Sequence, residues 1–316
     1  MADPGEGVAA DGTILTGAHR RRVPAAFEPV LADAVASAGD SGASLYVYGS
    51  VAAGTARPGS SDVDLLAIGL PDAVIVARRL SARYAEICRA VEIARAAPGD
   101  LDGDGDAAYG YRVFLRHYCV HLVGPDPAAG LPAFPADVRA ARGFNGDIGW
   151  HVQRSREDLE AGTAADRLGV RIARKTLLAV AGLVSVHDQT WTTDRSRAAR
   201  RWGEIEPGLA AHLRRLHSWV SAERRPADEE VERALAGDGI AEAIVERFAS
   251  RIGLWAAGGS GSGVRDLGGA EAGVDGDECD ERAGGHDDGP GQQAGHVAVG
   301  QCPGGRMPRD LTSGHD

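Results

Sequence analysis

The chain has 316 residues, enough for two ordinary domains, and its 45 acidic residues outnumber 34 Lys and Arg to give a net charge of -11. This balance argues against non-specific binding to a nucleic-acid backbone. The four cysteines are widely spaced, as in a reducing compartment, and the start lacks the basic-then-apolar order of a signal peptide. The longest apolar run, about 177–186, is too short to span a bilayer, so we expect a soluble cytoplasmic protein without membrane partners.

The two ends of the chain differ from its middle in composition. Residues 1–22 are rich in Gly, Ala and Asp and have no apolar period, which predicts a flexible arm. Residues 256–316 are rich in Gly and acidic residues, and such a segment buries too little apolar surface to offset the entropy of ordering it. We therefore predict a disordered tail there.

Residues 23–130 alternate between helical and strand patterns. Apolar spacing predicts an α/β domain whose elements follow in the order helix 25–38, strand 45–48, strand 63–68, helix 72–85 and strand 90–94.

Residues 131–255 have helical spacing almost throughout. This predicts a helical domain packed on the first one, with helices near 136–160, 165–186, 194–202, 208–223, 227–236 and 239–255.

The segment that carries chemistry begins where the first strand meets Gly49 and Ser50. After eleven intervening residues, the second strand carries Asp62 and Asp64, which share one face because side chains two apart in a strand point the same way. Two neighbouring carboxylates repel each other unless a cation lies between them, and magnesium is the cation that phosphoryl-transfer sites use. We therefore predict a magnesium site for one or two ions at Asp62 and Asp64.

The turn before these carboxylates suits a phosphate. Gly49 allows the backbone to approach it closely, Ser50 offers a hydroxyl, and Arg57 can neutralise charge. Gly49 and Gly54 have P-loop spacing, but Thr55 stands where a P-loop requires lysine, so a P-loop is excluded.

The segment YGSVAAGTARPGSSDVDLL resembles the signature of the DNA polymerase β-type nucleotidyltransferase superfamily, and it is most similar to aminoglycoside (streptomycin-type) adenylyltransferases. The resemblance extends over about 25–255 and is tight at 46–66. It implies an α+β palm domain followed by an all-α helical bundle. It also implies transfer of AMP, or another nucleoside monophosphate, from a nucleoside triphosphate, with ATP as the expected co-substrate and magnesium as cofactor.

The resemblance further implies a third carboxylate on a later strand. Glu92 is the candidate, as a metal ligand or as the base that takes the acceptor's proton, because Val91 and Ile93 face the opposite way. Glu86 is a weaker alternative, since it falls in the preceding helical pattern.

Basic residues cluster at two places in the helical half. Arg167, Arg171, Arg174 and Lys175 fall on one helix face, where the last three are candidates for binding the triphosphate; a solvated charged surface is the alternative. The run before Trp202 resembles a stretch in which the family places a nucleotide-contacting basic residue. The choice there between Arg195 and Arg197 is open.

A further cluster, His117, Cys119 and His121, alternates as if on one strand face, which favours a metal only weakly.

The expected acceptor is a hydroxyl of a small molecule, by resemblance an aminoglycoside, which would make the enzyme similar to antibiotic-resistance proteins. Local acidity in the helical half would suit a polycation. Two alternatives stay open: an antitoxin-like enzyme that attaches AMP to a partner protein, and a non-catalytic nucleotide-binding interaction protein.

Overall fold

A computed structural model describes residues 3–39 and 41–256, which lie within one compact unit. Of the predicted tail, only Ala256 falls among the described residues, and 257–316 lie outside them. Within the described part, none of the helices combines the length and the hydropathy that crossing a bilayer requires.

The first half is built on a mixed four-stranded sheet with the strand order β5-β4-β3-β6. Strands β4 and β5 are parallel, whereas β3 pairs antiparallel with both β4 and β6. The strands are β3 (Ser44–Tyr48), β4 (Val63–Ile68), β5 (Val91–Ala96) and β6 (Val120–Val123), after a short N-terminal pair, β1 (Gly7–Val8) and β2 (Ile14–Leu15).

The helices of this half cover both faces of the sheet. One face packs on α1 and α3 through an aliphatic core, and the other packs on α4 through a core rich in aromatic rings. The first three predicted strands and both predicted helices are confirmed to within a few residues at each end. The helices are α1 (Glu28–Ala38), the single turn α2 (Gly49–Ala52), α3 (Ala73–Arg83) and α4 (Asp106–Tyr118).

Helix α4 is not predicted by the spacing, and it changes the placement of a predicted cluster. His117 lies in its last turn, Cys119 follows it, and His121 lies in β6, so the three do not share a strand face. His117 Nε2 accepts a hydrogen bond from the Phe134 amide at 2.9 Å. Burial, with help from Arg116, lowers the pKa of His117 to about 4. A neutral structural histidine is the result.

The second half is helical, and α7 lies at its centre, in contact with all six of the other helices described in this half. The predicted helix at 136–160 is wrong in one respect, since it is two helices broken at Gly146 and Asp147. A Cβ at Gly146 would meet the Trp255 ring at 2.3 Å. The helices are α5 (Val138–Asn145), α6 (Ile148–Glu160), α7 (Ala165–Asp188), α8 (Arg195–Ile205), α9 (Ala210–Val220), α10 (Asp228–Leu235) and α11 (Ile240–Arg251).

The prediction of a flexible arm at 1–22 is wrong for the described residues of that segment. Ile14 is buried in the helical core, and its amide donates to the Phe134 carbonyl at 2.9 Å. Further along, the His19 amide donates to the Ala52 carbonyl in α2 at 3.0 Å. One buried apolar side chain and several backbone hydrogen bonds hold this segment in place. Neither produces a periodic apolar pattern in the sequence, so the sequence does not predict an ordered segment.

Candidate active site

The Gly-Ser turn lies directly against one of the carboxylates. Gly49 has a φ of +67°, a conformation that favours glycine, and a Cβ there would come within 2.3 Å of the Asp64 Oδ2 atom. Two independent constraints, backbone conformation and space, therefore require glycine at this position. As a result, the backbone of the turn packs closely on the Asp64 side chain.

The sheet brings the three predicted carboxylates to one face. Val63 and Leu65 are fully buried on the aliphatic side, which turns Asp62 and Asp64 to the opposite side. Glu92 is the register partner of Asp64 on the neighbouring strand, and paired residues project from the same face of a sheet.

The environment of Asp64 disfavours its charge. Burial is the largest cause and the nearby Asp62 the second, and together they raise the pKa of Asp64 to about 6 despite opposing contributions from arginines. Its other strand neighbour, Tyr48, is buried, and burial together with Asp64 and Glu92 raises the Tyr48 pKa well above its ordinary value. This corner of the sheet thus concentrates negative charge in a partly buried place.

Arg89, which sequence reasoning missed, balances part of that charge. Its Nε donates to the Asp62 Oδ1 atom at 2.9 Å, and its Nη2 donates to Oδ2. Hydrogen bonding to Asp62 is the largest cause of a raised Arg89 pKa, and Glu92 and Asp64 add to it. Arg89 lies two residues before β5, and no spacing in the sequence marks it as part of a site.

The carboxylates fit a divalent cation in part. Asp62 and Asp64 share a face, and the raised pKa of Asp64 means that a cation there would relieve an unfavourable charge. Across residues 3–39 and 41–256, however, no three His, Cys, Asp or Glu side chains are grouped closely enough to hold a metal. Because Asp62 is held by Arg89, a metal would compete with that guanidinium for it.

Two arginines of the helical half act on the same carboxylate. Arg174, in α7, and Arg195, the first residue of α8, both lower the pKa of Asp64. Burial, and then the charge of Arg174, lowers the pKa of Arg195 itself to about 10. Arg197 is exposed. Of the two alternatives that the sequence leaves open, the structure brings Arg195 to the carboxylates.

The other two predicted triphosphate ligands of α7 are engaged elsewhere. Arg171 forms an ion pair with Asp158 of α6. Lys175 is only 8% exposed, and its Nζ lies 2.6 Å from Asp147 Oδ1. The basic residues of α7 therefore do not act as a single face, and phosphate contacts by Arg171 and Lys175 stay predictions.

Ser50 and Arg57 lie on the turn between β3 and β4. The Ser50 carbonyl accepts hydrogen bonds from the amides of Thr55 and Ala56 at 2.9 and 3.0 Å, which closes the turn after α2. The exposed Arg57 has its amide bound to Ser61 Oγ at 2.9 Å. Their contacts with a phosphate also stay predictions.

Residues 30–92 match the family model described as a nucleotidyltransferase domain. The protein is a nucleotidyltransferase. The match spans the chain from α1 to the start of β5, and so includes the Gly-Ser turn and all three carboxylates. It supports the polymerase β-like superfamily and implies a nucleotide substrate, whereas nearness to aminoglycoside adenylyltransferases stays a prediction. No curated protein matches the chain.

Proposed function

We propose that this nucleotidyltransferase moves AMP, or another nucleoside monophosphate, from a nucleoside triphosphate to a hydroxyl of a small molecule, with release of pyrophosphate. One observation carries the proposal: Asp64 packs on the Gly-Ser turn, pairs in register with Glu92 and is faced by Arg174 and Arg195. Carboxylates on one side and guanidinium groups on the other are what a metal-bound triphosphate requires.

Asp62 and Asp64 would hold Mg²⁺, the ion that best suits two carboxylates, phosphate oxygens and water. When bound, it would neutralise charge on the phosphates during the displacement. To bind the metal, Asp62 would have to release its ion pair with Arg89. This release is feasible because 66% of the Arg89 side chain is exposed and can turn towards solvent.

The remaining residues orient the reactants. Arg174 and Arg195 bind phosphate oxygens from the helical side, and burial strengthens the electrostatic pull of Arg195. Gly49 allows the turn to pack against the Asp64 carboxylate, which keeps the Gly-Ser turn beside the residues that would hold the metal. Glu92 accepts the proton of the acceptor hydroxyl as that oxygen attacks the α-phosphorus. To serve as a third metal ligand instead, Glu92 would have to come closer to Asp62 and Asp64 than it lies in the described fold.

An aminoglycoside acceptor rests on the resemblance alone. The acidic side chains of the helical half that would suit a polycation are partly neutralised, since Asp147, Asp158 and Asp188 pair with Lys175, Arg171 and Arg201. General acidity of the helical half therefore does not identify the acceptor.

The decisive experiment uses ATP labelled on either the α- or the γ-phosphate, with Mg²⁺ and a panel of aminoglycosides and proteins. The proposal requires transfer of the α-label, and not of the γ-label, to a small molecule. The Asp64→Asn variant, which keeps the size of the side chain, should give no product. Label on a protein would favour the AMPylating alternative. Absence of any transfer, with nucleotide still bound, would favour a non-catalytic nucleotide-binding protein.

A further inference from the structure

A single carboxylate near the N-terminus joins three segments of the protein. Glu6 Oε1 accepts hydrogen bonds from the Tyr118 hydroxyl at 2.8 Å and from Thr193 Oγ1 at 2.5 Å. Its Oε2 accepts from the Thr193 amide at 2.8 Å and from Thr192 Oγ1 at 3.2 Å. Glu6 directly precedes β1, Tyr118 ends α4, and the two threonines lie between α7 and α8.

The segment that Glu6 holds on the helical side leads directly into Arg195. The Asp194 amide donates to Thr192 Oγ1 at 3.1 Å, and the Asp194 carboxylate caps α8 by accepting from the Ser196 amide at 2.9 Å. Arg195 is the first residue of that helix. A displacement of Thr192 or Thr193 would therefore move the start of α8 and with it Arg195, whose charge acts on Asp64.

Tyr118, the other hydrogen-bond partner of Glu6, connects Glu6 to the sheet side of the same site. The Tyr118 hydroxyl accepts from Trp191 Nε1 at 2.7 Å while it donates to Glu6. The Tyr118 ring stacks on Phe114, and Phe114 packs edge-on against Tyr48, with ring centroids 5.1 Å apart. Tyr48 is the strand partner of Asp64, so this chain of contacts ends at the carboxylates.

The hairpin that carries Glu6 is anchored to both halves independently of it. Thr16 Oγ1 donates to the His117 carbonyl at the end of α4, and the Ile14 amide donates to the Phe134 carbonyl at 2.9 Å. The groups that donate to the Glu6 carboxylate at this junction are neutral hydroxyls and one backbone amide. Hydrogen bonds to an ionised carboxylate are stronger than those between neutral groups, which makes this junction costly to break.

We propose that Glu6 is a positioning residue for the active site: through Thr192 and Thr193 it fixes the start of α8 and so holds Arg195 against the carboxylates. The proposal rests on the proposed function, in which Arg195 binds the triphosphate. It gives the segment at 3–22, which contacts α2 through His19 and the α7–α8 connection through Glu6, a role in nucleotide binding.

The structural part can be tested without any substrate, by amide hydrogen exchange on the full-length protein. Glu6→Ala should speed exchange across 190–196, because the Thr193 amide loses its acceptor, and should leave the core of α7 protected. Asp11→Ala is the matched control, since Asp11 accepts only from Thr13 in the exposed turn of the same hairpin. Unchanged exchange at 190–196 in Glu6→Ala would overturn the proposal.

The functional part is tested by a double-mutant cycle with Arg195→Ala. Glu6→Ala should raise the KM for ATP about tenfold with a smaller change in kcat, and it should add little once Arg195 is already Ala. Glu6→Gln, which keeps one acceptor oxygen, should recover part of the loss, and Asp11→Ala should match the wild type. Additive effects of the two substitutions would overturn the link to Arg195. A wild-type protein that binds no nucleotide would instead reject the proposed function, and the exchange experiment would still decide whether Glu6 holds the segment.

Discussion

The sheet half and the helical half supply opposite charges to one site, and they do so by different kinds of geometry. Asp64 and Glu92 lie on two adjacent strands, where the pleat and the register set their common face, and Asp62 directly precedes the first of these strands. The arginines lie on two different helices, and only the packing of α7 against α8 brings them together. Strand geometry can therefore be predicted from a short motif, whereas the basic side depends on the tertiary fold.

Two neighbours in α7 show how strongly packing decides the role of a charge. Arg174 acts on Asp64, while the adjacent Lys175 is buried against Asp147. Burial alone would raise the pKa of Asp147, but Lys175 and His151 hold it below its ordinary value. Adjacent helix positions point about 100° apart, so one basic residue serves the site and the next serves the core.

The largest expected effect tests the sheet side. Glu92→Gln keeps the shape of the side chain but cannot accept a proton, so turnover should slow by about two to four orders of magnitude while nucleotide still binds. Single-turnover kinetics at a series of ATP concentrations would measure both the rate of the chemical step and the affinity for ATP. If Glu92 is a metal ligand, the same change should also raise the Mg²⁺ concentration for half-maximal rate. A wild-type rate would place the third carboxylate elsewhere, with Glu86 the next candidate.

On the helical side, the largest effect should be on folding. Lys175→Met removes the ammonium partner of the buried Asp147 and leaves only His151 beside it, which should reduce the free energy of unfolding by about 3–5 kcal/mol. Urea denaturation measures this. Arg171→Ala is the matched control, because it breaks a more exposed ion pair on the same helix and should cost at most about 1 kcal/mol. If Lys175→Met keeps full stability but weakens ATP binding, the phosphate contact predicted from the sequence is right instead.

Arg195 and Arg197 lie in the same turn of α8 but differ in burial, so the two residues test whether packing selects the arginine that binds the nucleotide. Arg195→Ala should weaken ATP binding about 10- to 100-fold, because it removes a partly desolvated guanidinium from the phosphates. The exposed Arg197 should tolerate the same change. Calorimetric titration with ATP and Mg²⁺ distinguishes the two, and equal losses in both variants would mean that α8 contributes general positive charge rather than one specific ligand.

The features that were predictable from the sequence are those fixed by local pattern. The alternation around Asp62 and Asp64 and the glycine at Gly49 follow from neighbours in the chain, and the structure places them as expected. Arg89 and Glu6 carry no such pattern. Each acquires its partners only when segments distant in sequence meet, as when Glu6 reaches the Thr193 amide.

The same distinction, between local pattern and contacts distant in sequence, explains where the fold predicted from the sequence is wrong. Helix α4 begins after an Asp- and Gly-rich stretch that is typical of a turn, and its apolar residues divide between two cores, so no single apolar face marks it. The break at Gly146 depends on Trp255, which is distant in the chain. The spacing of apolar residues in the sequence reveals neither the division of α4 between two cores nor the contact of Gly146 with Trp255.

A smaller effect tests the charge on Asp64 through stability. The folded pKa of about 6 lies above the ordinary value of 3.8, so protonated Asp64 stabilises the fold at low pH, and this contribution is lost as the pH rises through about 6. Without metal, the melting temperature of the wild type should therefore fall by a few degrees relative to Asp64→Asn between pH 4 and 7.5. Mg²⁺ at pH 7.5 should restore the wild type only. A difference independent of pH would mean that Asp64 ionises normally.

The smallest effect concerns Arg89, a basic group that the sheet half supplies to Asp62. Because Arg89 holds Asp62 in a two-point contact, Mg²⁺ must displace it, and Arg89→Gln should lower the Mg²⁺ concentration for half-maximal rate. The pair is exposed on the arginine side and worth at most about 1 kcal/mol, so the shift should not exceed about fivefold. Arg83→Gln is the matched control, since its side chain is also 66% exposed and pairs with Asp33, which is not one of the site carboxylates. If Arg89→Gln instead raises the Mg²⁺ concentration for half-maximal rate, Arg89 stabilises the metal-bound state. The sheet half then supplies a functional positive charge to the site as well as the carboxylates.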